Sequence, residues 1–134
     1  MRSATRQEHR AIQSSWAADL AGLLFDDSRD GLLLVDLHGR IAAANAEWLL
    51  LSGDSPEDVD RCPIELLGGA GAPQTLADLF TTARAMGTPQ HAVLSHRHRH
   101  GFDIELEVAV EPILDDTGRT GIWLIRARPT VKRH

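Results

Sequence analysis

From Gly31 to Asn45 the chain reads GLLLVDLHGRIAAAN. An apolar run, Leu32 to Val35, meets Asp36 and a His38-Gly39 turn; a second β-compatible run, Arg40 to Ala44, then stops at Asn45. Two short strands joined by a tight glycine turn form a hairpin. Asn45 is placed to cap a helix over Ala46–Leu51, because its side-chain oxygen can accept from a free N–H of the first turn.

Downstream, Gly53 stops that helix and Ser55-Pro56-Glu57-Asp58 opens another, with a hydroxyl cap, a proline at the first helical position and an acid three residues after the cap. A hairpin turns around His100-Gly101, and Asp116-Thr117-Gly118-Arg119 makes a turn before the last apolar run. The ordered set Gly31, Asp36, Gly39-Arg40-Ile41, Asn45, Gly53 and Ser55-Pro56-Glu57-Asp58, followed by these two turns, resembles the PAS family of sensory domains over about Ser28 to Arg128. The resemblance implies an α+β fold: a five-stranded antiparallel sheet in the order 2-1-5-4-3, helices on one face, and a leading amphipathic helix. The division expected is 1–27 as helix and linker, 28–128 as sensory domain and 129–134 as a C-terminal linker.

The whole chain has 134 residues, one domain's worth, with 43% hydrophobic and 25% charged residues. A net charge of −5 argues against a nucleic-acid surface, which needs a basic patch to displace counterions. A single cysteine, Cys62, rules out an internal disulfide. No apolar run is long enough for a membrane span, and the polar start MRSATRQEHR lacks a signal-peptide core. These features are read as those of a cytoplasmic module of a longer protein.

Thr5 to Phe25 carries Ile12, Trp16, Leu20, Leu23 and Leu24 at helical spacing. By resemblance, this stripe is expected to pair with its copy in a homodimer. Gly68-Gly69-Ala70-Gly71-Ala72-Pro73 lacks both the Lys-Ser/Thr ending of a phosphate loop and dinucleotide-site spacing, and is read as a linker. A helix is expected over Gln74–Met86, stopped by Gly87, and strands over Gln90–His98, Phe102–Ile113 and Arg119–Arg128. The middle strand alternates, with Phe102, Ile104, Leu106, Val108 and Val110 inward and Asp103, Glu105, Glu107 and Glu111 outward. The run Ile122-Trp123-Leu124-Ile125 predicts a strand buried on both faces, its outer face covered by the N-terminal helix.

Chemistry is sparse. His91 and the run His96-Arg97-His98-Arg99-His100 raise a metal or haem-iron sensor as an alternative, since His96 and His98 share a strand face. No cysteine or acid stands at ligand spacing, so no metal site is assigned. Haem-binding PAS domains commonly ligate iron from a histidine on the long helix, and residues 74–86 contain none. Their flavin-binding relatives use Asn-Cys-Arg-Phe-Leu-Gln, of which Arg61-Cys62-Pro63-Ile64-Glu65-Leu66 keeps only the cysteine. Both departures argue against those cofactors, and the ligand stays unassigned. No nucleophile and base are paired, so no catalytic residue is assigned. A small enzyme of ketosteroid-isomerase type, the other alternative, would need an inward Tyr or Asp; the chain has no Tyr, and its Asp residues sit mainly at turns.

The resemblance therefore implies a regulatory module of a signalling protein, whether a kinase of a two-component system, a cyclic-dinucleotide enzyme or a transcriptional regulator. It would bind a small, largely apolar molecule between helix 74–86 and the sheet and signal through flanking helices to an output domain. Alternation and family position nominate Leu34, Ile41, Ala43, Trp48, Leu79, Phe80, His96, Ile104, Leu106 and Trp123 as the cavity lining.

Overall fold

Gly31–Val35 forms β1, whose five residues are all buried. The structure, a computed structural model, describes residues 29–130. The expectations for the N-terminal helix and for residues 131–134 lie outside the described residues. β2 (Ile41–Ala44), β3 (Gln90–Arg97), β4 (Asp103–Leu114) and β5 (Thr120–Pro129) complete a five-stranded antiparallel sheet in the order β2-β1-β5-β4-β3, as expected. Between β2 and β3 lie α1 (Ala46–Ser52), α2 (Pro56–Val59), a single 3-10 turn (Ile64–Leu66) and α3 (Thr75–Met86).

Asn45 joins the first hairpin to α1. Its Oδ1 accepts from Trp48 N and Leu32 N, both at 2.8 Å, and its Nδ2 donates to Asp30 O at 2.9 Å. One side chain thus caps the helix and fastens it to the strand that it crosses. The crossing is close: a Cβ on Gly31 would lie 3.1 Å from Trp48 Cα. Seven residues make a helix too short to persist alone, so α1 depends on the burial of Trp48, which has no exposed surface. α2 carries the expected reciprocal cap, with Asp58 N donating to Ser55 Oγ and Ser55 N to Asp58 Oδ2. The outer edge of β2 is covered by the chain after α2, through Arg61 N to Ile41 O and Ile41 N to Cys62 O.

Alternation divides the apolar residues of the sheet between two faces. The inner cluster takes Leu33, Val35, Ile41, Leu106, Val108, Val110, Trp123, Ile125 and Ala127, with Trp48, Ile64, Leu76, Phe80 and Ala83 packed over them. A second cluster, Leu32, Leu34, Ile122 and Leu124 with Ala43 and Ile113 against it, includes no residue of α1, α2 or α3. The run 122–125 is therefore buried on both faces, as its composition implies.

Two expectations change. Phe102 does not continue the inward series: it precedes β4, is 54% exposed, and stacks on His98 with ring centroids 4.2 Å apart. Alternation ends where the ladder ends, and the hairpin tip follows its own contacts. β3 likewise ends at Arg97, so His96 and His98 do not share a strand face.

Candidate functional site

The inner face holds most of the nominated residues. Ile41, Trp48, Phe80, Leu106 and Trp123 are in its buried cluster, and Leu79 and Ile104 pack against it. His96 is 2% exposed and lies beside Trp48, ring centroids 5.3 Å apart. Leu34 and Ala43 are not with them but in the second cluster, so they face away from α3. For Leu34 the cause is parity with Leu33 and Val35. For Ala43 it is a register shift: Leu34 pairs with Ala43, but Val35 pairs with Ile41, so Ala42 is an extra residue that reverses the alternation.

Between α3 and the sheet, buried apolar side chains of both elements meet. The Phe80 ring meets Trp123 edge-on at 5.9 Å, and the Arg84 guanidinium lies over the Phe80 ring, 5.3 Å from its centroid. Leu76, Ala77, Phe80 and Ala83 form the buried side of α3. The Thr75 hydroxyl donates to Ser95 O and fixes the start of the helix to β3. An open pocket of about 260 Å³ lies elsewhere, lined by Leu50 and Leu51 of α1, Gly31, Arg29, Glu47 and the end of β5.

A polar corner adjoins the inner face where the β3–β4 hairpin meets the α1–α2 turn. Its centre is Asp54, whose carboxylate side chain is only 1% exposed. Oδ2 accepts from Trp48 Nε1 at 3.2 Å, and Oδ1 accepts from Arg99 Nε at 2.9 Å. Arg99 also approaches Asp58 at 3.8 Å, and its backbone N–H donates to Ser52 O at 2.8 Å. His96 packs against the Trp48 ring, tilted 55° to it, and its buried Nε2 has no hydrogen-bond partner. Burial holds its pKa below the usual imidazole range; the Asp54 charge opposes that shift, and Arg99 and His98 add to it.

Neither Asp54 nor Arg99 was nominated from sequence. The signal available was an acid between a helix-stopping glycine and a helix-capping serine, Gly53-Asp54-Ser55, with an arginine at a distant hairpin. Cys62, the one residue shared with the flavin motif, donates from Sγ to Pro63 O, and burial pushes its thiol pKa up. Among the described residues no three His, Cys, Asp or Glu side chains are grouped to hold a metal ion.

Gly53 is where the hairpin rests on α1. Its φ of +79° is left-handed, and a Cβ there would lie 2.3 Å from His98 Cε1. Gly53→Ala should cost about 2 kcal/mol, from left-handed strain together with displacement of His98. Gly71→Ala supplies the comparison, with φ +81° and nothing within 4 Å, and should cost about 1 kcal/mol. Urea midpoints check both, and adding His98→Ala should recover the difference. Equal costs for the two glycines would remove His98 from the account.

A short antiparallel sheet with all the described helices on one face and a β2-α1-α2-α3-β3 connection defines a small α+β fold. A family model described as the PAS fold matches residues 22–128, and the chain belongs to the PAS family, whose members are generally sensory, non-enzymatic signalling modules. A PAS domain of a protein from Colwellia psychrerythraea is similar at 21% identity and TM-score 0.70, over 87% of this chain and 99% of that one. A light-oxygen-voltage domain whose mechanism was probed with a flavin analogue matches at 15% identity and TM-score 0.66, over 77% of this chain and 78% of that one. The light-state structure of the blue-light photoreceptor Aureochrome1 LOV matches at 16% identity and TM-score 0.66, over 76% and 82% of the two chains. At these identities the likeness is one of fold. No curated protein matches the sequence. No helix among the described residues is long and apolar enough to cross a membrane.

Proposed function

We propose that the chain is the sensory module of a larger signalling protein, and that it takes up a small, largely apolar molecule between α3 and the sheet. The observation that carries this reading is how α3 is mounted. It contacts the inner face through Leu76, Ala77, Phe80 and Ala83, and it follows a loop in which Gly68, Gly69 and Gly71 all have positive φ. On this reading the helix lifts as a unit, which requires the Thr75–Ser95 bond to break. A ligand that binds the lifted form better shifts the population toward it, by no more than its difference in affinity for the two forms. Ile41, Phe80, Leu106 and Trp123 would then meet the ligand, with Leu79 at the edge; Leu34 and Ala43 would not.

The change would leave through helices flanking the domain in a homodimer that includes residues 1–27, toward an output domain in the same protein. The apolar outer cluster of Leu32, Leu34, Ile122 and Leu124 supports a packing role for that face. Native mass spectrometry of the purified chain, set against its denatured mass, tests both parts. Mass added only in the native spectrum is expected, together with a doubled protein mass. A bare monomer at micromolar concentration would overturn both, and an added flavin, haem or metal would replace the apolar ligand.

A further inference from the structure

We propose that the proton is itself an input to this domain: protonation of His96 releases the tip of the β3–β4 hairpin from the corner between α1 and α2. This does not rest on the ligand reading: its groups are Trp48, Asp54, His96 and Arg99, none of which that reading uses.

The corner holds one buried anion and two basic groups. The Asp54 carboxylate, with 1% of its side chain exposed, receives Arg99 Nε on one oxygen and Trp48 Nε1 on the other. His96 is 2% exposed against the Trp48 ring, and its Nε2 is unpartnered. A neutral imidazole is tolerated there at the cost of one unmade hydrogen bond. An imidazolium has no water to solvate it and must draw on the nearest carboxylate. The groups that act on it are Asp54 at the α1–α2 turn, Arg99 and His98 in the hairpin, and Asp103 on β4; the two acids favour the charged ring, while Arg99 and His98 oppose it. Arg99, with 30% of its side chain exposed, is the partner able to turn out into water. What Arg99 holds is the tip: its N–H is bonded to Ser52 O, and the neighbouring His98 ring lies against Gly53. Losing the Asp54 bond loosens those contacts, while β1 and β5, held by Leu33, Ile125 and their inner cluster, stay paired.

The direction in pH follows from burial. Well above the ordinary imidazole range, docked and released forms are both neutral and the tip stays docked. As the pH falls through that range, the released form takes up the proton first, so release gains with each further drop until the docked form also titrates.

The test is an NMR titration of the full chain from about pH 8 to about pH 5, the span in which imidazoles change charge. His96 should titrate below its ordinary value. The Trp48 indole N–H and the Gly53 and Arg99 amides should shift with the same midpoint. Hydrogen-exchange protection at Arg99 should fall by up to about tenfold per pH unit, and that at Leu33 and Ile125 should persist. Tip signals that ignore the His96 midpoint would overturn the proposal, as would loss of β1 and β5 protection at that midpoint. In His96→Phe, or in His96→Gln should the first not fold, the pH-dependent release should vanish. Release that survives in either folded variant would assign the effect to another group, with His98 the first to examine.

Discussion

Replacing Trp48 with alanine should remove about 4 kcal/mol of stability, a large fraction of what a domain commonly has. The value lies in the middle of the range for truncating a buried aromatic, and two features that alanine removes keep it from the low end: the ring has no exposed surface, and its indole N–H is held by Asp54. A hole left at this point cannot be closed by α1 moving inward, because Gly31 already sits at contact distance beneath it. Trp48→Phe separates packing from polarity. It keeps one ring against His96 but takes away the donor to Asp54, and should cost about 2 kcal/mol. Urea unfolding followed by circular dichroism, at a pH well above the imidazole range, measures both. A loss below about 2 kcal/mol for alanine would mean that the corner relaxes around the missing ring and that Trp48 is not what holds α1 to the sheet.

Local chemistry made the frame legible in the sequence. The Asn45 cap, the Ser55–Asp58 reciprocal cap and the Gly87 stop each depend on residues within a few positions, and each stands where its pattern indicates. Alternation on β4 was legible for the same reason: a strand with one buried face records that face at every second residue. Pattern failed where the backbone leaves its period. Alternation places Ala43 inward with Ile41, and the extra residue at Ala42 turns it to the other face. Alternation extended to Phe102 places it inward, but the ladder begins only at Asp103. Leu34 failed differently, because an apolar run buried on both faces gives no sign of which residues face which side.

The polar corner was least legible because its members are far apart. Trp48, Asp54, His96 and Arg99 lie on three segments, and the Arg99–Asp54 bond spans 45 residues. Nothing local distinguishes Asp54 from the other turn aspartates. Asp115 makes the contrast: it too anchors a turn, accepting from Thr117 N and Arg119 N, but it does so at the exposed surface. Only the chain crossing that brings a hairpin tip onto the end of α1 turns one of these acids into a buried hub.

That hub gives the second large effect. Asp54→Ala should cost about 3 kcal/mol, the lower end of the range for breaking a buried charged pair. The lower end applies because Arg99 can turn into water, while the buried indole N–H of Trp48 cannot and is left without an acceptor. Asp54→Asn removes the charge but can keep an oxygen on Trp48, and should cost about half as much. The asparagine variant also bears on the proton input. The Asp54 charge favours the imidazolium, so its removal should lower the His96 titration midpoint further and weaken release of the tip at a given pH. Urea midpoints and the His96 titration, measured on the same sample, give both answers. Should the His96 midpoint rise or stay fixed in Asp54→Asn, the carboxylate would not be the group that steadies the charged ring. The competition with Arg99 would then fail, even if the stability loss matched expectation.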